Sequence, residues 1–210
     1  MPSPLTTRLY EGSLTFFTGP MSCGKTLELI RYLQIFKEQQ IPMICLRPAS
    51  DVRTPVVQSR SGLSIVDAVS VDVSDLDRIE GLMRDKFVIG IDEIIFFTPN
   101  IVPLLEAEVR RGKTIMVAGL DNDFSGKLFP TSAALMELPE TIIQRSRAVC
   151  SVCRRYNATR TQRLRDGKPV PVNDPQELVE GSVSNVTYEA RCIEHHALAT
   201  PETSATASMF

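Results

Sequence analysis

Short apolar runs alternate with stretches of helical spacing along the first 145 residues. Leu14 to Phe17 is the first run, and it leads into a glycine-bearing turn. After that turn Leu27, Ile30, Leu33, Ile35 and Phe36 recur every three or four positions, which predicts an amphipathic helix buried on that side. Met43 to Leu46, Phe87 to Ile91 and Thr114 to Ala118 are further runs, the last two rich in β-branched residues. Between those two, Thr98-Pro99-Asn100 opens a helix over Val102 to Val109, with Leu104, Leu105 and Val109 on one side. Continuous apolar strands alternating with amphipathic helices predict an α/β fold, a parallel sheet covered on both faces by helices.

After about Ala148 the helical pattern fades, and Arg, Pro, Asn, Asp and Gly increase. Asp166-Gly167, set between Arg163-Leu164-Arg165 and Lys168-Pro169-Val170, reads as a hairpin turn. The resulting division is an N-terminal segment at 1–12, an α/β domain at 13–147, a small lobe at 148–196, and a tail at 197–210. Rich in Ala, Ser and Thr, that tail is expected to be disordered.

A net charge of −2 advertises neither a nucleic-acid nor a membrane partner. No run of residues approaches the roughly 18 uninterrupted apolar positions of a membrane span. The first residues lack the apolar core of a secretion signal, so a cytoplasmic location is expected.

The turn after the first run, Gly19-Pro20-Met21-Ser22-Cys23-Gly24-Lys25-Thr26, fits G-x-x-x-x-G-K-[ST]. Such a loop turns backbone N–H groups inward around phosphate oxygens, and the following helix presents its positive end to them. Lys25 supplies a point charge to the terminal phosphates, and the Thr26 hydroxyl is a Mg²⁺ ligand. The run Phe87 to Ile91 ends in Asp92, the form of a carboxylate that holds Mg²⁺ beside a phosphate loop. If the strand continues, alternation turns the next side chain, Glu93, the other way, leaving it for an acceptor hydroxyl.

Of the five cysteines, Cys150-x-x-Cys153 and Cys192 stand with His195 in two close pairs separated by 38 residues. Two such pairs supply the tetrahedral set of a structural Zn²⁺, with no position left for water. His196 is the rival for the fourth place, and spacing does not decide between the histidines. A metal closing this long loop at its base lets it fold over a ligand without a large core.

With these parts in place the chain resembles the zinc-containing thymidine kinases, the vertebrate cytosolic and bacterial type. The likeness runs from about Leu14 to His196 through GPMSCGKT, RPASDVR, SRSGLSI, IDEIIFF, VAGLDNDFSGKLF, the C-x-x-C, ATRTQRL and YEARCIEHH. It implies a RecA-like phosphate-loop domain with a zinc-bound lasso. The implied reaction moves the γ-phosphoryl group of ATP, with Mg²⁺, to the 5′-hydroxyl of thymidine. In that reaction Glu93 is the general base and Arg53 stabilises charge on the transferred group. Residues 19–26 and Asp92 hold ATP and its metal. Asp51 belongs to the substrate-side loop. Met21, Phe96, Leu120, Phe124 and Phe129 line the thymine pocket, with core packing the competing reading of the aromatics. Thr161, Gly181 and Tyr188 belong to the loop closing over the nucleoside. The resemblance further implies a homotetramer inhibited by dTTP.

Three positions depart from the family pattern: Ile95 stands where Gln is usual, Cys23 where a small hydroxyl residue is commoner, and Arg47 where Lys is frequent. Ile95 keeps open a preference for deoxyuridine or deoxycytidine. A third reading is a zinc-bearing, nucleic-acid-binding ATPase using Arg145, Arg147, Arg154, Arg155, Arg160, Arg163 and Arg165 as a basic stripe.

Overall fold

The computed structural model describes residues 11–50, 57–58, 64–65, 68–175 and 185–200. In chain order the first part contains β1 (Ser13–Thr18), α1 (Lys25–Glu38) and β2 (Met43–Pro48), then a short antiparallel pair, β3 (Val57–Gln58) and β4 (Ser64–Ile65). There follow β5 (Ala68–Val71), α2 (Leu76–Met83), β6 (Val88–Ile91), α3 (Ile101–Arg110), β7 (Thr114–Ala118), α4 (Pro130–Glu137) and β8 (Thr141–Arg145). The sheet has six strands in the order β5-β2-β6-β7-β1-β8, and every neighbouring pair is parallel. No helix among the described residues is long and apolar enough to cross a membrane.

Strand alternation sorts the core into two layers. Phe16, Ile89, Ile91, Ile115 and Val117 face α2, α3 and α4 and pack with Ile79, Met83, Leu105 and Leu135. Their neighbours Phe17, Val88, Met116 and Ala118 face α1 and meet Leu29, Ile30 and Leu33. The buried stripe of α1 therefore differs from the one the spacing predicts: Leu29 is fully buried, while Ile35 is 47% exposed. At 3.6 residues per turn Ile35 lies about 160° around the helix from Leu33.

At Gly90 the side chains of α1 pack directly on the sheet backbone. A Cβ there would lie 2.5 Å from Leu33 Cδ1 and 3.2 Å from its Cδ2, and Leu33 is itself fully buried. Gly90→Ala is expected to destabilise the fold by about 1–3 kcal/mol through overpacking, measured as a lowered urea midpoint.

The carboxyl ends of β1, β6 and β7 finish together, with Phe17 level with Ala118 and Ile91 level with Val117. Since β7 lies between β1 and β6, the glycine loop after β1 and the carboxylates after β6 flank one short edge, as expected of a RecA-like sheet. Open parallel sheets bind ligands at that edge.

The smaller lobe is a three-stranded antiparallel sheet of β9 (Arg160–Arg165), β10 (Lys168–Pro169) and β11 (Val186–Arg191), with β9 in the middle. Asp166 at φ 50° and Gly167 at φ 74° form the predicted hairpin turn. Two successive positive φ angles suit the twist of the flanking strands, which is why Asp-Gly stands there. Ala197 and Ala199, assigned by composition to the tail, are hydrogen-bonded into this lobe through Gln162 and the Val170 carbonyl.

Candidate active site

The loop at 19–26 is shaped by backbone angles that few residues adopt. Gly19 has φ 133° and Gly24, immediately before α1, has φ 92°. A Cβ on Gly19 would sit 2.3 Å from the Ser146 carbonyl oxygen, so no side chain fits. Ser22, at φ 60°, adds a third left-handed turn. Alternating hand makes the concave nest of N–H groups that binds anions, and α1 begins at its rim. Lys25 Nζ donates to the Pro20 carbonyl at 2.8 Å and lies 3.7 Å from Cys23 Sγ. Burial pushes the Cys23 thiol up despite the adjacent Lys25 ammonium.

Across the edge, the Thr26 hydroxyl donates to Asp92 Oδ1 at 3.1 Å. Asp92 is buried and its N–H bonds the Leu46 carbonyl at 3.0 Å. The next residue behaves differently from its strand-based expectation. β6 ends at Ile91, and Glu93 adopts φ 51°, ψ 50° at the start of a 3-10 turn over Ile94–Phe96. The turn of the backbone, not pleat alternation, separates the two carboxylates. Ile94 and Phe97 are drawn into the core under α3 and α4, which forces the chain off the strand path. A left-handed non-glycine residue costs of order 1–3 kcal/mol, and such strain clusters at active sites.

The expected pocket residues divide by burial: Phe124 and Phe129 are buried, while Met21, Phe96, Leu120 and Tyr188 are half-buried. Their backbones are tied down. The Phe129 N–H bonds the Asp121 carbonyl at 2.9 Å, and the Ser132 hydroxyl donates to the Leu120 carbonyl at 2.7 Å. Thr131, also on α4, bonds the Phe97 carbonyl. The second lobe reaches in as well: the Met21 N–H donates to the Thr161 hydroxyl at 3.1 Å. His196 Nε2 donates to the Phe124 carbonyl at 2.8 Å, an oxygen that can only accept.

The His196 contact removes the sequence ambiguity at the metal cluster. Ligand atoms of Cys150, Cys153, Cys192 and His195 all lie within 4.8 Å of one another. His195 Nδ1 is 3.8 Å from Cys150 Sγ and 3.1 Å from Cys192 Sγ. A tetrahedron with ordinary Zn–S and Zn–N bonds has S···N edges of about 3.5 Å, so the donor set fits Zn²⁺. Burial alone would raise the Cys150 thiol, but N–H groups of Cys153, Cys192 and Val152 hold it down to about 6. Burial first, and then thiol neighbours, push the Cys192 thiol up. Among the described residues, Ala148, Cys150, Ala158, Ala190 and Cys192 form the buried core of this corner, with Cys23 and Cys153 packed against it.

Comparison with known proteins shows the family. The family model described as Thymidine kinase matches residues 12–196. The chain belongs to the thymidine kinase family. The thymidine kinase of Coprothermobacter proteolyticus is 40% identical over 188 residues, covering 89% of this chain and 91% of its own length. That of Thermococcus kodakarensis is 39% identical over 193 residues, covering 88% of this chain and 94% of its own.

Asp51, Arg53 and Gly181, expected at a thymidine kinase site, lie outside the described residues. Four of the seven arginines of the ATPase reading are engaged within the fold: Arg145 with Asp121, Arg155 with Glu194, and Arg163 and Arg165 with Asp174. Arg163 has no exposed surface, and the family does not favour that reading. Ile95 is half-buried and packs toward Gly119, where a Cβ would meet its Cγ2 at 3.4 Å. Sequence reasoning placed His196 as a rival metal ligand and Arg163 in a basic stripe, and missed that both hold Phe124. Their signal, a charged or polar residue two or one positions from a motif residue, exists in the sequence but does not say what they touch.

Proposed function

We propose that this member of the thymidine kinase family phosphorylates thymidine at its 5′-hydroxyl, with ATP as donor, giving dTMP and ADP. The observation carrying this reading is the meeting of Thr26 and Asp92 at 3.1 Å, with Glu93 next in the chain in a left-handed backbone conformation. Gly19, Pro20, Met21, Ser22, Cys23, Gly24 and Lys25 bind the ATP phosphates. Thr26 and Asp92 would hold Mg²⁺: their oxygens stand close to the edge, about 2.9 Å, of an octahedron with normal Mg–O bonds. When bound there, the ion would help neutralise charge on the phosphates.

Glu93 accepts the proton of the thymidine 5′-hydroxyl as that oxygen bonds to the γ-phosphorus. The bond from phosphorus to the bridging oxygen breaks, and its electron pair leaves with ADP. Lys25, with Arg53 from the substrate-side loop, compensates charge on the transferred group. Thymine is held among Met21, Phe96, Leu120, Phe124 and Phe129, with Asp51, Thr161, Gly181 and Tyr188 on the sugar and lid side. Cys150, Cys153, Cys192 and His195 bind structural Zn²⁺.

The 13–147 and 148–196 division corresponds in this reading to catalytic domain and lid. A cytoplasmic location suits a cluster of unpaired cysteines that must stay reduced. Assembly into a homotetramer suits β8, an edge strand with Ile142 and Ile143 exposed on its opposite faces in the single chain. The reading is tested by comparing kcat/KM for thymidine, deoxyuridine and deoxycytidine with ATP. Thymidine is expected to lead, and a deoxycytidine preference would overturn the assignment.

A further inference from the structure

Strand β9 carries two side chains on one face toward the α/β domain. Thr161 accepts the Met21 N–H of the phosphate loop. Two residues on, Arg163 projects from the same face, since strand side chains repeat every second position. Arg163 has no exposed surface, an unusual state for an arginine.

Its guanidinium lies 5.3 Å from the ring centroid of Phe124 and 5.8 Å from that of Tyr188. Tyr188 is its register partner on β11. Arg163 Nη1 also pairs with Asp174 at 2.9 Å and donates to the Pro175 carbonyl. Three separate pieces of chain therefore meet at one buried cation: the loop after β7, strand β11, and the Asp174-Pro175 pair. His196 holds the same loop by the Phe124 carbonyl, so backbone and ring of Phe124 are both fixed from the zinc lobe.

We infer that Arg163 is a positioning residue for nucleoside binding: it sets the spacing and tilt of the Phe124 and Tyr188 rings. The inference rests on the proposed assignment of those rings to the thymine pocket. A flat cation attracts the faces of both rings and is weakly hydrated, so it holds them at fixed distance where an aliphatic side chain would let them collapse. Asp174 keeps the guanidinium oriented. Asp174 also pairs with Arg165 at 2.9 Å, so its carboxylate keeps a cation when Arg163 is replaced. Loss of Arg163 therefore reaches the rings more than the ion pairing. Because Arg163 points to the base side and Thr161 to the phosphate loop, its removal affects the nucleoside selectively.

The test uses full-length Arg163→Lys and Arg163→Met, with KM and kcat for thymidine and ATP, zinc content and thermal midpoint for each. For Arg163→Met the KM for thymidine is expected to rise about tenfold or more while that for ATP stays within about twofold. Arg163→Lys keeps the charge on Asp174 but loses the planar stack, and should recover part of the thymidine affinity. If Arg163→Met does not fold, Arg163→Lys decides alone, with a raised thymidine KM expected at unchanged zinc content. A folded, zinc-loaded Arg163→Lys with unchanged thymidine KM would overturn the inference. So would equal losses toward ATP and thymidine in step with a lowered thermal midpoint, the signature of a purely structural role. A wild type that turns over other nucleosides but not thymidine would overturn the pocket assignment beneath it.

Discussion

Glu93→Gln is expected to lower kcat by about 10²–10⁴-fold, the usual contribution of a positioned general base. The substitution keeps size and shape, so the φ 51° backbone of residue 93 and the 3-10 turn after it should persist. Lys25, Thr26 and Asp92 are untouched, and the KM for ATP should stay within about twofold of the wild type. The amide accepts a hydrogen bond from the 5′-hydroxyl but cannot take its proton, and the loss therefore falls on the chemical step. Steady-state kinetics with thymidine and ATP give the answer. Turnover close to that of the wild type would remove Glu93 from the reaction.

The second large effect concerns the metal. Cys150→Ser or Cys192→Ser should abolish stoichiometric zinc and lower kcat/KM by about 10²-fold or more. Binding of structural zinc contributes on the order of 10 kcal/mol or more in small zinc domains. The metal corner has little else: alanines and the ligands themselves make up its buried core. Without the ion, β9 and β11 lose their common anchor, and Thr161, Arg163 and His196 lose their grip on Met21 and Phe124. Small misplacements of this kind cost about 10²-fold in rate. Zinc assay together with amide exchange across 160–165 and 186–191 would register the change. Full activity in zinc-free protein would contradict it.

What the sequence made legible follows from how tightly chemistry constrains spacing. The glycine loop needs its residues at fixed intervals, as do the two metal pairs, and both are where the sequence places them. Central strands were readable because both of their faces are buried and their residues are uniformly apolar. The edge strands β5 and β8 were not, since among the described residues one flank of each lacks a partner and β8 is mostly exposed. Helix α4 hid for another reason: Thr131 and Ser132 occupy its buried side, satisfied by the Phe97 and Leu120 carbonyls, so no apolar stripe marks it. The sequence leaves open whether the strand continues through Glu93, and packing of Ile94 and Phe97 under α3 and α4 turns the chain there. Arginines read as a surface charge cluster include one with no surface at all.

The bond from the Met21 N–H to the Thr161 hydroxyl joins the loop proposed to grip the triphosphate to the strand proposed to cover the sugar and base. Whatever occupies one site thus works on the same mechanical joint as whatever occupies the other. Binding free energies coupled this way are reciprocal: the factor by which donor tightens acceptor equals the factor by which acceptor tightens donor. Order of addition then matters to the rate of assembling the ternary complex but not to its final stability.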